Sequence, residues 1–500
     1  MQTPGFLARC YRLQLRAGRL LESMVFLGWL LLLLWLPLPF GSNRPWAEGL
    51  LILAVGLLLA LWGLSWALSN LRLRHLGTRP LWLGLLWAAW LLWILLQTLP
   101  LDPAFIEAWA PYRWQQLQDA GQVPGVVLPL LPALSVDADL TRGQLLLSTA
   151  YALLFLLSML LLRRRRRYKW LLWTLLFGGL VQVVYGSLMV LSGLEYGAWG
   201  AKQAYRGYAT GTFVNRNHFA GYLELSLAAA LGVAIASARH MGSGLDWRQR
   251  LRHYLAMLQD GPMFARVCMA FLFAGLILSQ SRMGNVAAIG GLSLAGLGYL
   301  LCRPRRQAAL YWLLLLGSVL LVDVLLFGRW FGLEQLAERY AAVQPAVNLR
   351  LLVLEDVRAM IPAYAPLGSG LGTFGLAYPQ FRSPEVDWAF DQAHNDYLQF
   401  LIETGYPGVL LLATLVLLTV GRALLLIRRR GDALVHGVAC AALAALAALG
   451  IHSAADFNLQ IPANAATLVV LMAAVWSCRT RSQGRRAAPP AQAKPAAAVL

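Results

Sequence analysis

The sequence predicts an all-α polytopic membrane protein with about twelve transmembrane helices and a long periplasmic segment before the tenth. Three observations carry that reading. Hydrophobic residues make up 59% of the 500, and several apolar runs reach about 18 residues or more, the length that crosses roughly 30 Å of hydrocarbon. Arginines gather in the short connections between these runs, as the positive-inside rule expects of cytoplasmic loops. One polar, histidine-bearing stretch, Phe390 to Gly408, stands between apolar spans.

The net charge of +19 would point a soluble protein towards nucleic acid. Here loop arginines account for most of it, so no nucleic-acid partner is expected. Cys10, Cys268, Cys302, Cys440 and Cys478 form no CxxC pair, which indicates neither a disulfide framework nor a zinc site. Arg9, Arg12, Arg16 and Arg19 precede the first apolar run, which lacks a clear small-residue cleavage site. It reads as a retained span rather than a signal peptide.

Taken in order, the first span covers about 24–40 and ends at Pro37 and Pro39, and the second covers about 47–69. The third, about 81–99, is rich in tryptophan and opens into an acidic-leaning, proline-broken loop from Pro100 to Arg142. The fourth, about 143–162, ends at Arg163 to Arg167, and the fifth is about 170–192. The sixth to ninth cover about 218–237, 263–279, 284–302 and 308–327. A large segment, 328–405, precedes the tenth span at about 406–427. The eleventh and twelfth lie at about 433–451 and 462–478. Residues 1–478 read as one membrane domain, and 479–500, rich in Ala and Pro, as a disordered cytoplasmic tail.

Alternation tests the map. With the amino terminus inside, the connections after every even-numbered span are cytoplasmic, and they carry the clusters at Arg72, Arg163, Arg248, Arg303, Arg428 and Arg479. Both termini then lie in the cytoplasm and the polar stretch faces the periplasm.

That stretch contains His394, Asp391, Asp396 and Glu403, then a Gly405-Tyr406-Pro407-Gly408 break. On a helix, Asp391, Asn395, Leu398 and Ile402 share one face, and His394, Tyr397 and Leu401 another. An interfacial helix with a merely solvated polar side fits the same pattern. Topology adds weight. Arg206, Arg216, Arg282, Arg350, Arg358 and Arg382 fall on the outer side, where the positive-inside rule does not ask for them. Such arginines snorkel to headgroups or pair with loop carboxylates, or they serve an anionic ligand, for which guanidinium offers paired hydrogen bonds. Arg216 and Arg282, each at the mouth of a span, are the stronger candidates for the second role. Glu224 and Asp323 fall inside spans and read as structural. The stretch His452, Asp456, Asn458, Gln460 also faces outward and borders the same region. With His394 and Asp396 it offers metal-ligand types, but no close spacing supports a metal, and no cofactor is expected.

Four motifs resemble those of the O-antigen ligase and O-antigen polymerase superfamily of bacterial membrane glycosyltransferases. They are Asn215-Arg216-Asn217-His218-Phe219-Ala220-Gly221, Ser279-Gln280-Ser281-Arg282, Pro366 to Phe374, and Ala393-His394-Asn395-Asp396-Tyr397-Leu398-Gln399 with Glu403-Thr404-Gly405. The likeness covers about 200–460. It implies a C-type glycosyltransferase-like fold in the bacterial inner membrane. It further implies transfer of a glycan from a polyprenyl (undecaprenyl) diphosphate carrier to a glycan or lipid A-core acceptor at the periplasmic face, without nucleotide sugar or metal. By that resemblance Arg216 and Arg282 bind the diphosphate, and His394 acts on the acceptor hydroxyl. Arg350 matches less closely, and Asn215, Asn217, His218, Asn395, Asp396, Gln399 and Glu403 fall to substrate binding. Three other readings remain beside the ligase: a polymerase for lipopolysaccharide or exopolysaccharide, a transporter or flippase for an anionic solute or lipid-linked glycan, and a scaffold subunit needing neither His394 nor Arg282. A transporter should carry polar residues along a path through its spans, whereas here they gather at the outer end.

Overall fold

Apolar runs in lipid satisfy their backbone only as helices, and helices make up nearly all of the regular structure. The computed structural model describes residues 4–69, 79–125, 130–197, 200–237, 261–304, 352–387, 389–429 and 432–478, with 312, 313 and 317 besides. Its helices are α1 (Pro4–Trp35), α2 (Pro45–Ser69), α3 (Arg79–Thr98), α4 (Pro103–Trp109), α5 (Pro111–Gly121), α6 (Ala138–Leu161), α7 (Arg165–Ser192) and α8 (Arg216–Ser237). There follow α9 (Gly261–Ser279), α10 (Arg282–Cys302), α11 (352–364), α12 (Asp396–Arg428), α13 (Ala433–His452) and α14 (Pro462–Ser477). A two-residue antiparallel pair, β1 (Tyr196–Gly197) and β2 (Gly200–Ala201), decorates the loop before α8.

Among the described residues nine helices are long and apolar enough to cross a membrane, and Phe264–Ser279 and Pro462–Ser477 are shorter apolar helices. The chain is a multi-pass membrane protein. These eleven helices coincide with eleven of the twelve expected spans. Of the remaining span, 308–327, only 312, 313 and 317 are described, and Asp323, Arg350, Arg248 and the tail from Arg479 lie outside the described residues. The first span begins earlier than its apolar core and stops at Trp35, because Pro37 cannot extend a helix.

α8 is the axis of the bundle, buried along almost its whole length. Small residues let its neighbours close in, as membrane helices require where burial of apolar surface gives no drive. At Gly232 an added Cβ would meet the Gly437 carbonyl oxygen and the Ala441 Cβ, both at 3.0 Å. Gly291 of α10 meets Ala444 and Ala448 of α13 in the same way. The basic ends collect together: Arg167 donates to Glu22 at 2.9 Å, Arg165 pairs with Asp432, and Arg303 contacts His436 at 3.3 Å. α10 runs from Arg282 to this basic end, and α13 runs from it to His452. Arg282 and Arg303 thus lie at opposite ends of α10, and His452 lies at the end of α13 away from Asp432.

α12 was expected as two pieces separated by the Gly-Tyr-Pro-Gly break. It runs on from Asp396 to Arg428 with a kink at Gly405, whose φ of 62° lies in the left-handed region. Pro407 removes a donor from the ladder, and the carbonyls freed around the kink are met by other elements. Ser369 N donates to Ile402 O at 2.8 Å and Gly370 N to Glu403 O at 2.9 Å. Gln97 Nε2 reaches Glu403 O at 2.9 Å, and Trp93 Nε1 reaches Thr404 O at 2.8 Å. A Cβ at Gly405 would fall 2.0 Å from Pro366 O. Gly405→Ala is therefore expected to cost at least about 1–3 kcal/mol from backbone strain alone. A thermal midpoint of the purified variant equal to wild type would contradict this packing.

Candidate functional site

The polar stretch does not form the continuous helix expected over 391–402. Asn395 caps α12, its Oδ1 accepting from Leu398 N at 3.1 Å, so the helix starts at Asp396. Asp391 and His394 lie before it, off both proposed helix faces. His394 takes a φ of 49°, left-handed backbone that non-glycine residues seldom adopt. Its neighbours are pinned on both sides. Ala393 N donates to Gln399 Oε1 at 3.0 Å, and Asn395 Nδ2 donates to Ala454 O at 3.0 Å.

His394 Nδ1 donates to Asp456 Oδ1 at 3.3 Å, and the Asp456 side chain is only 1% exposed. The same oxygen lies 3.7 Å from His218 Nε2, an electrostatic contact beyond hydrogen-bond range. Asn217 Nδ2 donates to the other oxygen, Oδ2. Both imidazoles pack on Phe457, His218 at 4.4 Å and His394 at 4.9 Å between centroids. Burial pushes the Asp456 carboxyl up, but the two histidines beside it outweigh that and hold it well below the usual carboxylate range. Its contribution to stability is therefore present above the free carboxyl's value of about 3.9 and fades only as pH falls from there through the depressed value.

The carboxylate fixes the proton of His394 on Nδ1 and leaves Nε2 as the basic nitrogen. The His394 side chain is about a fifth exposed, at 21%, so it can meet a solute. Asp456→Asn is expected to lower any proton-transfer activity by about 10- to 100-fold, the worth of a hydrogen bond to a charged group. Rates unchanged in that variant would remove Asp456 from the mechanism.

Two helices bring the arginines to this end. Arg216 is the first residue of α8 and Arg282 the first of α10. Asn215 Oδ1 accepts from Asn217 N at 2.8 Å, and Ser281 Oγ from Gly284 N at 3.2 Å, so side chains cap both helix starts. The two helices touch one turn further in, where a Cβ on Gly284 would fall 2.6 Å from Ala220 Cβ. The loop before α8 is also tied to the end of α9, Ala209 N donating to Leu278 O at 2.9 Å. The starts of two helices, each opened by an arginine, thus lie together, and Asn217 and His218, next to Arg216 in the first of them, reach Asp456, an arrangement suited to a polyanion. Arg216 is half-buried and Arg282 exposed. Arg206, Arg358 and Arg382 are exposed, and Arg206 donates to Lys202 O at 2.9 Å.

The other residues expected to bind substrate are largely turned inward. Asn217 and His218 are buried around Asp456. Asp396 is fully buried, its Oδ2 accepting from Ser453 Oγ at 2.8 Å and Leu459 N at 3.0 Å. Glu403 Oε1 accepts from Phe374 N at 3.1 Å and Gln399 Nε2 at 3.3 Å, which clamps the Pro366–Phe374 turn to α12. Glu224 pairs with His452 at 2.6 Å inside the bundle, binding α8 to the end of α13. Among the described residues no group of three or more His, Cys, Asp or Glu side chains is placed to hold a metal ion.

Fold and site define a multi-pass membrane protein with a histidine–carboxylate pair beside an arginine-rich polar mouth. Residues 267–413 match the family model of O-antigen ligase, a stretch that includes Arg282 and His394. The match supports the resemblance over the three motifs that lie inside it, and with it O-antigen ligase-type glycan transfer in general. Arg216, His218 and Asp456 lie outside the matched stretch. No curated protein matches the chain.

Proposed function

We propose that the protein transfers a glycan from a polyprenyl-diphosphate-linked donor to an acceptor hydroxyl at the periplasmic face of the inner membrane. The observation that carries this reading is the His394–Asp456 pair, set beside two arginines that begin packed helices. In the proposed reaction Arg216 and Arg282 hold the donor's diphosphate. The acceptor oxygen attacks the anomeric carbon, the bond from that carbon to the phosphate oxygen breaks, and the diphosphate leaves on its lipid. Charge gathering on the leaving oxygens is stabilised by the fixed guanidinium groups at the low-dielectric boundary. The acceptor proton passes to Nε2 of His394, and Asp456 stabilises the resulting imidazolium.

Asn217, His218, Asp396, Gln399 and Glu403 act here as positioning residues beneath the reacting groups, and Asn215 and Asn395 as caps that set the helix starts. Residues 328–405, which carry His394, form the outer segment of a single membrane domain spanning 1–478, and both termini stay in the cytoplasm. Lipid A-core or a second lipid-linked glycan serves as acceptor, and no metal or other cofactor takes part. The transporter reading gains no support from the fold or from the family match. Incubation in bilayers with lipid-linked oligosaccharide, with and without lipid A-core, tests the proposal. Donor consumption without core, giving longer lipid-linked chains, identifies a polymerase, and conjugation only with core identifies a ligase. Failure to consume donor under either condition would refute glycan transfer.

A further inference from the structure

The loop before α8 holds a feature that neither the motifs nor the family match covers. The Arg216 guanidinium carbon sits over the Tyr208 ring, 4.3 Å from its centroid, and 5.9 Å from that of Tyr205. A cation at this distance over an aromatic face is attracted by the ring quadrupole, more strongly where water is thinned out. The peptide that carries Tyr208 is gripped on both sides by one ion pair. Glu195 Oε1 accepts from Gly207 N at 2.6 Å. Lys202 Nζ, 3.2 Å from Glu195 Oε2, donates to Tyr208 O at 2.5 Å. The Lys202 side chain is only 8% exposed, and taking such a pair out of water is costly unless its remaining hydrogen bonds are filled. Here the backbone on either side of one tyrosine supplies one hydrogen bond to each partner. The next residue, Ala209, is tied to Leu278 ahead of the turn that bears Arg282. The ring is thus fixed with respect to both arginine loops.

We propose that Tyr208 is a positioning residue for the donor diphosphate, holding the Arg216 guanidinium over its ring, with the Glu195–Lys202 pair as the clamp that fixes the ring. The inference rests on the proposed glycan transfer for its substrate, but the ligand chemistry it names is a diphosphate. An arginine held on one face by an aromatic ring loses less freedom when its donors engage phosphate oxygens, so affinity falls when the ring is removed.

The test uses the full-length protein in nanodiscs and inorganic pyrophosphate as the probe, measured by calorimetric binding and by inhibition of donor turnover. Tyr208→Phe keeps the ring and is expected to bind pyrophosphate within about twofold of wild type. Tyr208→Leu is expected to weaken pyrophosphate binding and raise the KM for lipid-linked donor by about tenfold, with the KM for acceptor unchanged. A merely structural role would disturb both substrates together. Unchanged pyrophosphate affinity in a folded Tyr208→Leu protein would overturn the proposal, as would an equal loss in Tyr208→Phe. Should Tyr208→Leu fail to fold, Glu195→Gln loosens the clamp and leaves the ring. Weaker pyrophosphate binding is then the expected result and unchanged binding the contrary one. Wild-type protein that binds pyrophosphate but consumes no donor would count against glycan transfer and not against Tyr208. Wild-type protein that binds no pyrophosphate would overturn the inference itself.

Discussion

Replacing His394 with alanine is expected to lower glycan transfer by about 10²- to 10⁴-fold, the usual worth of a positioned general base, while leaving the donor bound. The separation follows from geometry. His394 is anchored through Asp456 at 3.3 Å, whereas the arginines assigned to the diphosphate begin α8 and α10, two other elements. Removing the imidazole therefore takes away the proton acceptor and leaves the cationic mouth intact. His394→Gln, similar in reach but unable to take the proton at neutral pH, should be as inactive as the alanine variant. Single-turnover rates beside donor-binding isotherms read the two effects apart. Activity surviving in both variants would move the proton acceptor to another group.

Neutralising Arg282 is expected to produce the second large effect, a loss of about 10²- to 10³-fold in turnover, as when a donor to a developing anion is removed. Donor retention should fall far less, because charge on the diphosphate grows as the glycosidic bond breaks and the guanidinium is worth most at that stage. The backbone placement supports this assignment. Ser281 caps α10 immediately before Arg282, so the residue begins the helix at its positive end and next to α8. Arg282→Lys should restore only part of the rate, since an ammonium lacks the planar fork. A loss of donor affinity equal to the loss of turnover would make Arg282 a binding residue alone.

The extent to which this molecule can be read from its sequence differs by element. Spans were legible because lipid permits only one backbone solution for a long apolar run. Arg216, Arg282 and His394 stand out in the sequence for the opposite reason, as polar groups where the topology supplies no other need for them. The helical faces drawn through Asp391 and His394 were not found, because Asn395 stops the helix at Asp396. An asparagine just ahead of an apolar-periodic run is a start signal that could have placed that boundary. Asp456 was visible as a neighbour of the outer mouth, but its pairing with His394 joins positions 62 residues apart, and no local spacing encodes such a contact. Gln97, which reaches Leu367 O and Glu403 O at 3.0 and 2.9 Å, ends a tryptophan-rich span and carries no motif. Tyr208 is equally silent, since only its position under Arg216 distinguishes it from other loop aromatics. The residues expected to touch substrate but found buried share one cause. Polarity in a motif marks a group that needs partners, and a folded site supplies many of those partners from within.

The most direct test of the central claim is mass analysis of products from purified protein in bilayers, given a polyprenyl-diphosphate oligosaccharide with and without lipid A-core. The account predicts that wild type consumes the donor and attaches its glycan to an acceptor, while His394→Ala still binds the donor and leaves it unconsumed. Donor untouched by wild type with either acceptor, or consumed equally by wild type and His394→Ala, would contradict it.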